Sequence, residues 1–228
     1  MSKPTSINHI AVCTADIKAQ IDFFTDVMGM ELVALYAMEE PEKSVHAYVK
    51  LNDSCSVALV YTPKTADIET IDGVTHARHP AKGSAPGTVQ HIAFNVPTVA
   101  DMLNLRDRMR SKGVNVLGPL DHGMCHSMYF GGPENLTLEV ATSEIPITPE
   151  LWIDNEVVEL AGINESELAT YITPPTFTGQ GGKVPQPKKE DAPYHLVYDG
   201  PHGDKILNMS DEELNKLASF SNAPNSDS

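Results

Sequence analysis

The strongest constraint on how this chain can fold is an internal repeat. The segment Ile7-Asn8-His9-Ile10-Ala11-Val12 recurs 82 positions later as Val89-Gln90-His91-Ile92-Ala93-Phe94. Each copy is a short run of apolar and β-branched residues around a histidine, which is typical of a β-strand. Self-similarity at a fixed spacing indicates two similar modules, so an element predicted in one half is expected in the other.

A helix is predicted after each copy of the repeat. In the first half an apolar stripe at helical spacing stops at Gly29, a common helix terminator, and comprises Ile17, Ile21, Phe24 and Met28. In the second half Thr98 and Asp101 form a capping pair, Gly113 follows the last turn, and the stripe comprises Met102, Leu105 and Met109. Both stripes are expected to pack into a core.

Further strands are predicted after each helix. They lie at 31–36, 45–51 and 56–61 in the first half, and at 114–117 and in a hairpin within 123–140 in the second. Each half therefore has the order β-α-β-β-β. The predicted organisation is a first module at 5–62, a polar linker at 63–87, a second module at 88–142 and an acidic C-terminal extension at 143–228.

The hairpin within 123–140 carries an unusual carboxylate. Its turn spans residues 131–135, where Gly131, Gly132 and Asn135 tolerate the positive φ that a tight connection demands. In the second strand Glu139 lies on the face opposite three apolar residues, Leu136, Leu138 and Val140. Burying a carboxylate is costly unless it is paired or bound to a metal, so this face is either solvated or part of a site.

Composition excludes several classes of function. The formal net charge of −15 repels phosphate backbones, so nucleic acid is not an expected partner. No apolar run reaches the length of a membrane span and the first residues do not resemble a secretion signal, so no membrane partner is expected. The cysteines Cys13, Cys55 and Cys125 lack CxxC spacing, and free thiols fit a reducing, cytoplasmic location.

The extension, residues 143–228, differs in character from the two modules. Thr148, Asn164 and Ser210 are predicted to begin short helices, and residues 178–193 are rich in Pro, Gly and Lys. We expect a mostly helical or irregular arm that wraps the modules or a neighbouring subunit.

The duplicated organisation resembles the vicinal oxygen chelate superfamily, which includes glyoxalases, bleomycin-resistance proteins and extradiol dioxygenases. The resemblance covers about residues 5–142 and rests on His9-Ile10-Ala11, His91-Ile92-Ala93 and the run from Tyr129-Phe130 through Pro133 and Asn135-Leu136 to Leu138-Glu139. It implies an α+β fold in which two tandem βαβββ modules form a curved mixed sheet around a metal cavity. It also implies a small-molecule substrate.

Three side chains are the predicted metal ligands. His9 and His91 stand on equivalent first strands, so a pseudo-two-fold pairing would bring them to one cavity, which Glu139 can complete. Two imidazoles and one carboxylate suit non-haem Fe(II), with Mn, Zn, Ni or Co as alternatives, whereas structural zinc would take a fourth protein ligand. The competing interpretation is that each histidine is a hydrogen-bonded core residue.

The branch of the superfamily depends on what the first module lacks. Aligning residues 47–62 with 127–142 places Leu59 opposite Glu139, so no matching carboxylate is expected there. The glyoxalase-like members typically add a glutamate from each module. The departure favours resemblance to the type I extradiol dioxygenases, whose triad is two histidines and one glutamate.

That resemblance also implies catalytic residues. Tyr129 would hydrogen-bond a metal-bound substrate oxygen, although a strand tyrosine can equally serve packing. His122 and His126 compete for the role of acid–base catalyst. His126 lies three residues from Tyr129 and faces the opposite side of a regular strand, so His122 is preferred unless a bulge intervenes.

The predicted function is an Fe(II)-dependent extradiol-type dioxygenase that cleaves a catechol-like aromatic diol. Its partners would be a small aromatic substrate and dioxygen, and a homodimer or higher homo-oligomer is possible for two-module members. The alternatives are a metal-dependent lyase, isomerase or epimerase of the glyoxalase type, and a non-enzymatic small-molecule-binding resistance protein.

Overall fold

A computed structural model describes residues 3–38, 41, 43–198, 202–218 and 223–225. The chain forms two compact units, one at Pro4–Pro174 and one made of Met1–Lys3 with Pro175–Ser228. Residues 143–174, which the sequence groups with the extension, therefore belong to the same unit as the two modules.

The first module contains one helix and a four-stranded mixed sheet. Its elements are β1 (His9–Thr14), α1 (Ile17–Asp22), β2 (Glu31–Met38), β3 (Ser44–Asn52) and β4 (Cys55–Tyr61). The strand order is β1-β4-β3-β2, with β1 parallel to β4 and the other pairs antiparallel. The helix begins after Asp16, whose carboxylate accepts the N–H of Ala19, and continues as a π-helical turn at Phe23–Val27.

The second module repeats this architecture. Its elements are β5 (Ile92–Val96), α2 (Val99–Ser111), β6 (Val116–Asp121), β7 (His126–Gly131) and β8 (Thr137–Thr142), and the strand order is β5-β8-β7-β6. The hydroxyl of Thr98 accepts the N–H of Asp101 at the start of α2, as the capping pair predicts. The α+β fold with tandem βαβββ modules is confirmed.

One hydrophobic core spans both modules, because each sheet turns alternate side chains towards the helices. The rings of Phe24 and Phe94, one from each module, meet edge to face with centroids 6.2 Å apart. The fully buried side chains around them include Leu59, Met102, Met128 and Leu138. Each such burial contributes about 1.5–3 kcal/mol, and the opposite face of each sheet is left available for function.

Polar contacts also join the modules. The guanidinium of Arg108 on α2 donates to the backbone carbonyls at the end of the first helical segment, those of Thr25, Asp26 and Val27. Carbonyls at a helix end commonly lack a partner within the helix, although that of Thr25 also accepts the N–H of Gly29 at 3.1 Å. Glu134 Oε1 accepts the N–H of Ala15 at 2.7 Å, and its Oε2 accepts from Gln20 Nε2 at 2.8 Å.

The turn before β8 differs from the sequence expectation. Positive φ falls on Glu134 (53°) and Asn135 (68°), whereas Gly131 and Gly132 do not take it. Gly132 leaves space for the core, because a Cβ there would come within 2.8 Å of Leu138 Cδ1 and would force that side chain to shift. Of the three residues named as tolerating positive φ, only Asn135 adopts it, and the other such position is Glu134.

Short helices follow the modules. In the first unit these are α3 (Pro149–Trp152), α4 (Asn155–Leu160) and α5 (Glu165–Ile172), and in the second unit α6 (Asp211–Ala218). Asn164 and Glu167 form a capping box at the start of α5, and Ser210 Oγ accepts the N–H of Glu213. Within the described ranges, every helix is too short or too polar to cross a bilayer.

Candidate metal centre

A histidine and a carboxylate meet on the open face of the second sheet. His91 immediately precedes β5, and Glu139 lies on β8 opposite Ala93. His91 Nε2 is 2.7 Å from Glu139 Oε2. Glu139 is only 6% exposed, so its charge is taken out of water and needs a cationic partner.

The contact between His91 and Glu139 needs either a proton or a metal ion between its two atoms. An ionised carboxylate oxygen accepts hydrogen bonds but cannot donate them. A proton on His91 Nε2 satisfies this requirement, and so does a metal ion bound to both side chains. The neutral imidazole and the carboxylate are donor types common at divalent-metal sites.

Tyr129 lies beside this pair. The register of β7 and β8 places it directly opposite Glu139, and its ring centroid is 6.1 Å from that of His91 in an edge-on arrangement. Burial, and then the negative charge of Glu139, raise the pKa of the Tyr129 hydroxyl above its usual value. The hydroxyl therefore stays protonated near neutral pH and can donate a hydrogen bond.

His122 reaches Tyr129 from the turn that joins β6 to β7. The backbone N–H of His122 donates to the backbone carbonyl of Cys125 at 2.9 Å, and Gly123 takes a φ of 78°. This turn brings His122 Nε2 to 3.2 Å from the Tyr129 hydroxyl. His126 alternates with Tyr129 and shares its strand face with core residues Met128 and Phe130.

His9 belongs to a separate cluster on the first sheet. A row of aromatic rings crosses β1, β3 and β2, with centroid distances of 5.7 Å for His9–Tyr48, 4.7 Å for Tyr48–His46 and 5.5 Å for His46–Tyr36. We call these four residues the aromatic row. Burial, and then the neighbouring His9, lower the pKa of His46.

Sequence reasoning missed the aromatic row. The period-two spacing of His46 and Tyr48 on a strand was the available signal, since it places both on the face opposite the core residues Ala47 and Val49. The pairing with Tyr36 depends on strand register, which the sequence left open.

The counterpart of Glu139 in the first module is Ala58, not Leu59. Tyr129 pairs with Glu139 across β7 and β8, and Tyr48 pairs with Ala58 across β3 and β4. The predicted alignment was off by one residue, and Leu59 instead faces the core. The first module still presents no carboxylate at this position.

The structure brings together only part of the predicted ligand set. A cavity of about 160 Å³ lies between the two first strands, and its lining includes residues 10–12 and 90–92. His91 lines this cavity. Across the ranges that the structure describes, no three His, Cys, Asp or Glu side chains lie close enough to share one metal ion. His9 as the third ligand therefore stays a prediction.

Known proteins share this architecture. A family model described as the Glyoxalase/Bleomycin resistance protein/Dioxygenase superfamily matches residues 6–140. A lactoylglutathione lyase from Pseudomonas aeruginosa is 24% identical over 151 residues, covering 60% of this chain and 82% of the relative. Biphenyl-2,3-diol 1,2-dioxygenase 3 from Rhodococcus globerulus is 21% identical over 150 residues, covering 66% of this chain and 69% of the relative.

A solved structure to which this chain is similar is the fosfomycin resistance protein FosX from Listeria monocytogenes, complexed with Mn(II) and sulfate. It is 14% identical, covers 61% of this chain and 93% of its own, and has a TM-score of 0.42. The family match extends over more than half of the present sequence and takes in both modules. This protein therefore belongs to the glyoxalase/bleomycin resistance protein/dioxygenase superfamily.

Proposed function

We propose that this protein is a divalent-metal-dependent enzyme that cleaves the ring of a catechol-like diol, with Fe(II) as its metal. The observation that carries the proposal is the 2.7 Å contact between His91 Nε2 and the buried Glu139, with Tyr129 beside it. The position equivalent to Glu139 in the first module is Ala58, which supports a triad with one carboxylate.

The donor set suits the proposed metal. His91 and Glu139 already converge, and His9 is the proposed third ligand. Because His9 lies in the aromatic row and outside the His91–Glu139 group, we propose that a second copy of the chain supplies it. A two-fold pair of chains would then form two equal sites.

Bound Fe(II) would leave coordination positions for a diol and for dioxygen and would make the diol hydroxyls easier to ionise. The protonated Tyr129 hydroxyl would donate a hydrogen bond to a substrate oxygen. His122, 3.2 Å from that hydroxyl, would accept a proton at Nε2 and return it as the ring opens.

The proposed substrate class rests on the aromatic row, which the second copy of the chain would bring to the site together with His9. The aromatic row presents flat rings, against which a planar aromatic substrate can pack. In the overall reaction a ring C–C bond next to the diol breaks and both atoms of dioxygen enter the product. The ring is oxidised as dioxygen is reduced, so no further reductant is needed.

The test is oxygen consumption by protein reconstituted anaerobically with Fe(II). Catechol and biphenyl-2,3-diol are supplied separately, and oxygen uptake is compared with the appearance of a ring-opened product. We expect uptake with at least one diol in a one-to-one ratio to product. Stoichiometric iron without oxygen uptake on either diol would contradict the proposed reaction.

A lyase of the glyoxalase type is the second candidate, favoured by the 24% identity to a lactoylglutathione lyase. The same reconstituted protein, loaded with Zn, Ni, Co or Mn, is assayed for formation of lactoylglutathione. Turnover there without any oxygen uptake would replace the dioxygenase proposal by this one.

A further inference from the structure

The residue before each repeated histidine is an amide, and we propose that Gln90 is a positioning residue that fixes the orientation of His91 for metal binding. The proposal rests on the proposed function, since it concerns the same ligand. The side-chain oxygen of Gln90 contacts His91 Nδ1, on the side of the ring opposite Glu139. Gln90 and Glu139 therefore contact the imidazole of His91 at its two nitrogen atoms, Nδ1 and Nε2 respectively.

The orientation of the Gln90 amide follows from its other partners. Its Nε2 lies 3.3 Å from the carbonyl oxygen of His79, 2.9 Å from that of Pro80 and 2.7 Å from that of Lys82. Carbonyl oxygens only accept, so the amide nitrogen must face them. The amide oxygen then faces His91 and requires a proton on Nδ1.

This arrangement prepares Nε2 of His91 as a metal ligand. With one proton held on Nδ1, a metal ion that displaces the proton between His91 Nε2 and Glu139 would bind the Nε2 lone pair. Metal-binding histidines commonly donate their second ring N–H to a carbonyl or carboxylate, which fixes the ring and strengthens the ligand. Through Gln90, the part of the linker at residues 79–82 is therefore connected to His91.

The first module has a similar contact between an amide and a histidine. Asn8 Oδ1 lies 2.9 Å from His9 Nδ1, at the matching place in the repeat. Asn8 is exposed, and in the part of the chain that the structure describes its amide nitrogen has no set of carbonyl partners like that of Gln90. The Gln90 amide that contacts His91 is thus fixed by three backbone carbonyls, whereas the Asn8 amide that contacts His9 has no such set among the described residues.

The experiment compares Gln90→Met with Gln90→Glu. Both lose the donors to the loop carbonyls, but only Glu keeps an acceptor for His91 Nδ1. Two readouts are used: the exchange rate of the His91 Nδ1 proton in metal-free, ¹⁵N-histidine-labelled protein, and the affinity for Zn²⁺ by competition with a chelator. Asn8→Ala is the matched variant in the other module.

The metal-free wild type should show a slowly exchanging proton on His91 Nδ1, which Gln90→Met loses and Gln90→Glu keeps. Zn²⁺ affinity should fall about 10- to 100-fold in Gln90→Met and less in Asn8→Ala. It should recover only in part in Gln90→Glu, because the loop carbonyls repel the second carboxylate oxygen. An equal loss of Zn²⁺ affinity in Gln90→Met and Gln90→Glu would mean that Gln90 acts only by stabilising the loop at residues 79–82. Rapid exchange of the His91 Nδ1 proton in the wild type would overturn the proposal.

The proton readout separates this inference from the proposed function. A protected Nδ1 proton in a wild type that binds no metal would refute the metal-dependent enzyme and leave the positioning contact intact. Tight metal binding with no difference among the three Gln90 forms would refute the positioning role alone.

Discussion

At the scale of single residues, the site depends on one protonated hydroxyl next to one buried carboxylate. Tyr129 faces Glu139 across a strand pair, and its raised pKa keeps the proton that a substrate oxygen would need. That hydroxyl lies 3.2 Å from His122 Nε2 and also has hydrogen-bonding contacts with Ser127 and Glu139. We expect Tyr129 and His122 to act together in proton transfer.

Replacing Tyr129 by Phe should reduce kcat/KM for the diol by about 10- to 100-fold, since a hydrogen bond to a charged group contributes about 1.5–3 kcal/mol. Iron content should not change, because the hydroxyl is not a proposed ligand. Steady-state oxygen uptake and metal analysis check both points. Tyr171→Phe, at an exposed position, is the control, and an equal loss in both variants would argue against the role of Tyr129.

At the scale of elements, the turn before β8 is constrained by its two glycines in different ways. A Cβ at Gly132 would strike Leu138 of the core, whereas a Cβ at Gly131 would meet nothing within 4 Å. Gly132→Ala should therefore lower the free energy of unfolding by about 1–3 kcal/mol, and Gly131→Ala should change it by much less. Urea unfolding measures both, and similar values for the two variants would contradict this explanation.

The same turn carries a pH-dependent link between the modules. Burial opposes ionisation of Glu134, but hydrogen bonds from Thr14, Gln20 and the backbone of Ala15 and Asp16 outweigh it and hold its pKa below the usual value. A carboxylate with a lowered folded-state pKa contributes stability above its unfolded pKa of about 4.3, and this contribution disappears as the pH falls through the lowered value.

Glu134→Gln should consequently destabilise the protein most near pH 7. The difference in melting temperature between wild type and variant should shrink as the pH is lowered from 5 towards 3, which scanning calorimetry can follow. A difference that stays constant over this range would show that the charge of Glu134 does not stabilise the fold.

Much of the secondary structure could be predicted from the sequence. The repeat and the two apolar stripes were enough to place both helices and the β-α-β-β-β order, because each pattern is local. The error at Leu59 arose because a one-residue shift reverses which face a strand residue occupies. The π-helical turn at Phe23–Val27 and the reach of Arg108 to its carbonyls depend on packing between modules, which no local pattern records.

At the scale of the whole molecule, the two sheet faces carry different halves of the proposed site. His9 lies in the aromatic row of one module, and the His91–Glu139 pair lies on the other. The sequence repeat identifies His9 and His91 as equivalent positions. It does not determine which modules face each other across a site. That choice depends on how modules, or copies of the chain, associate.

Mixing two inactive variants tests the association. His9→Ala and Glu139→Gln each lack one proposed ligand, so each alone should bind little iron. If His9 comes from a second copy, a mixed dimer contains one intact site and one doubly deficient site, and refolding the variants together should restore up to about a quarter of wild-type oxygen uptake. No recovery in a sample shown to contain mixed dimers would place all three ligands in one chain.

Metal analysis is the sharpest test of whether His91 and Glu139 bind a catalytic metal. Wild type, Glu139→Gln and the exposed control Glu144→Gln are loaded with Fe(II) anaerobically, freed of excess metal and analysed for iron. We predict stoichiometric iron in the wild type and in Glu144→Gln, with loss of nearly all of it in Glu139→Gln. Full retention of iron by Glu139→Gln would show that this carboxylate is not a metal ligand.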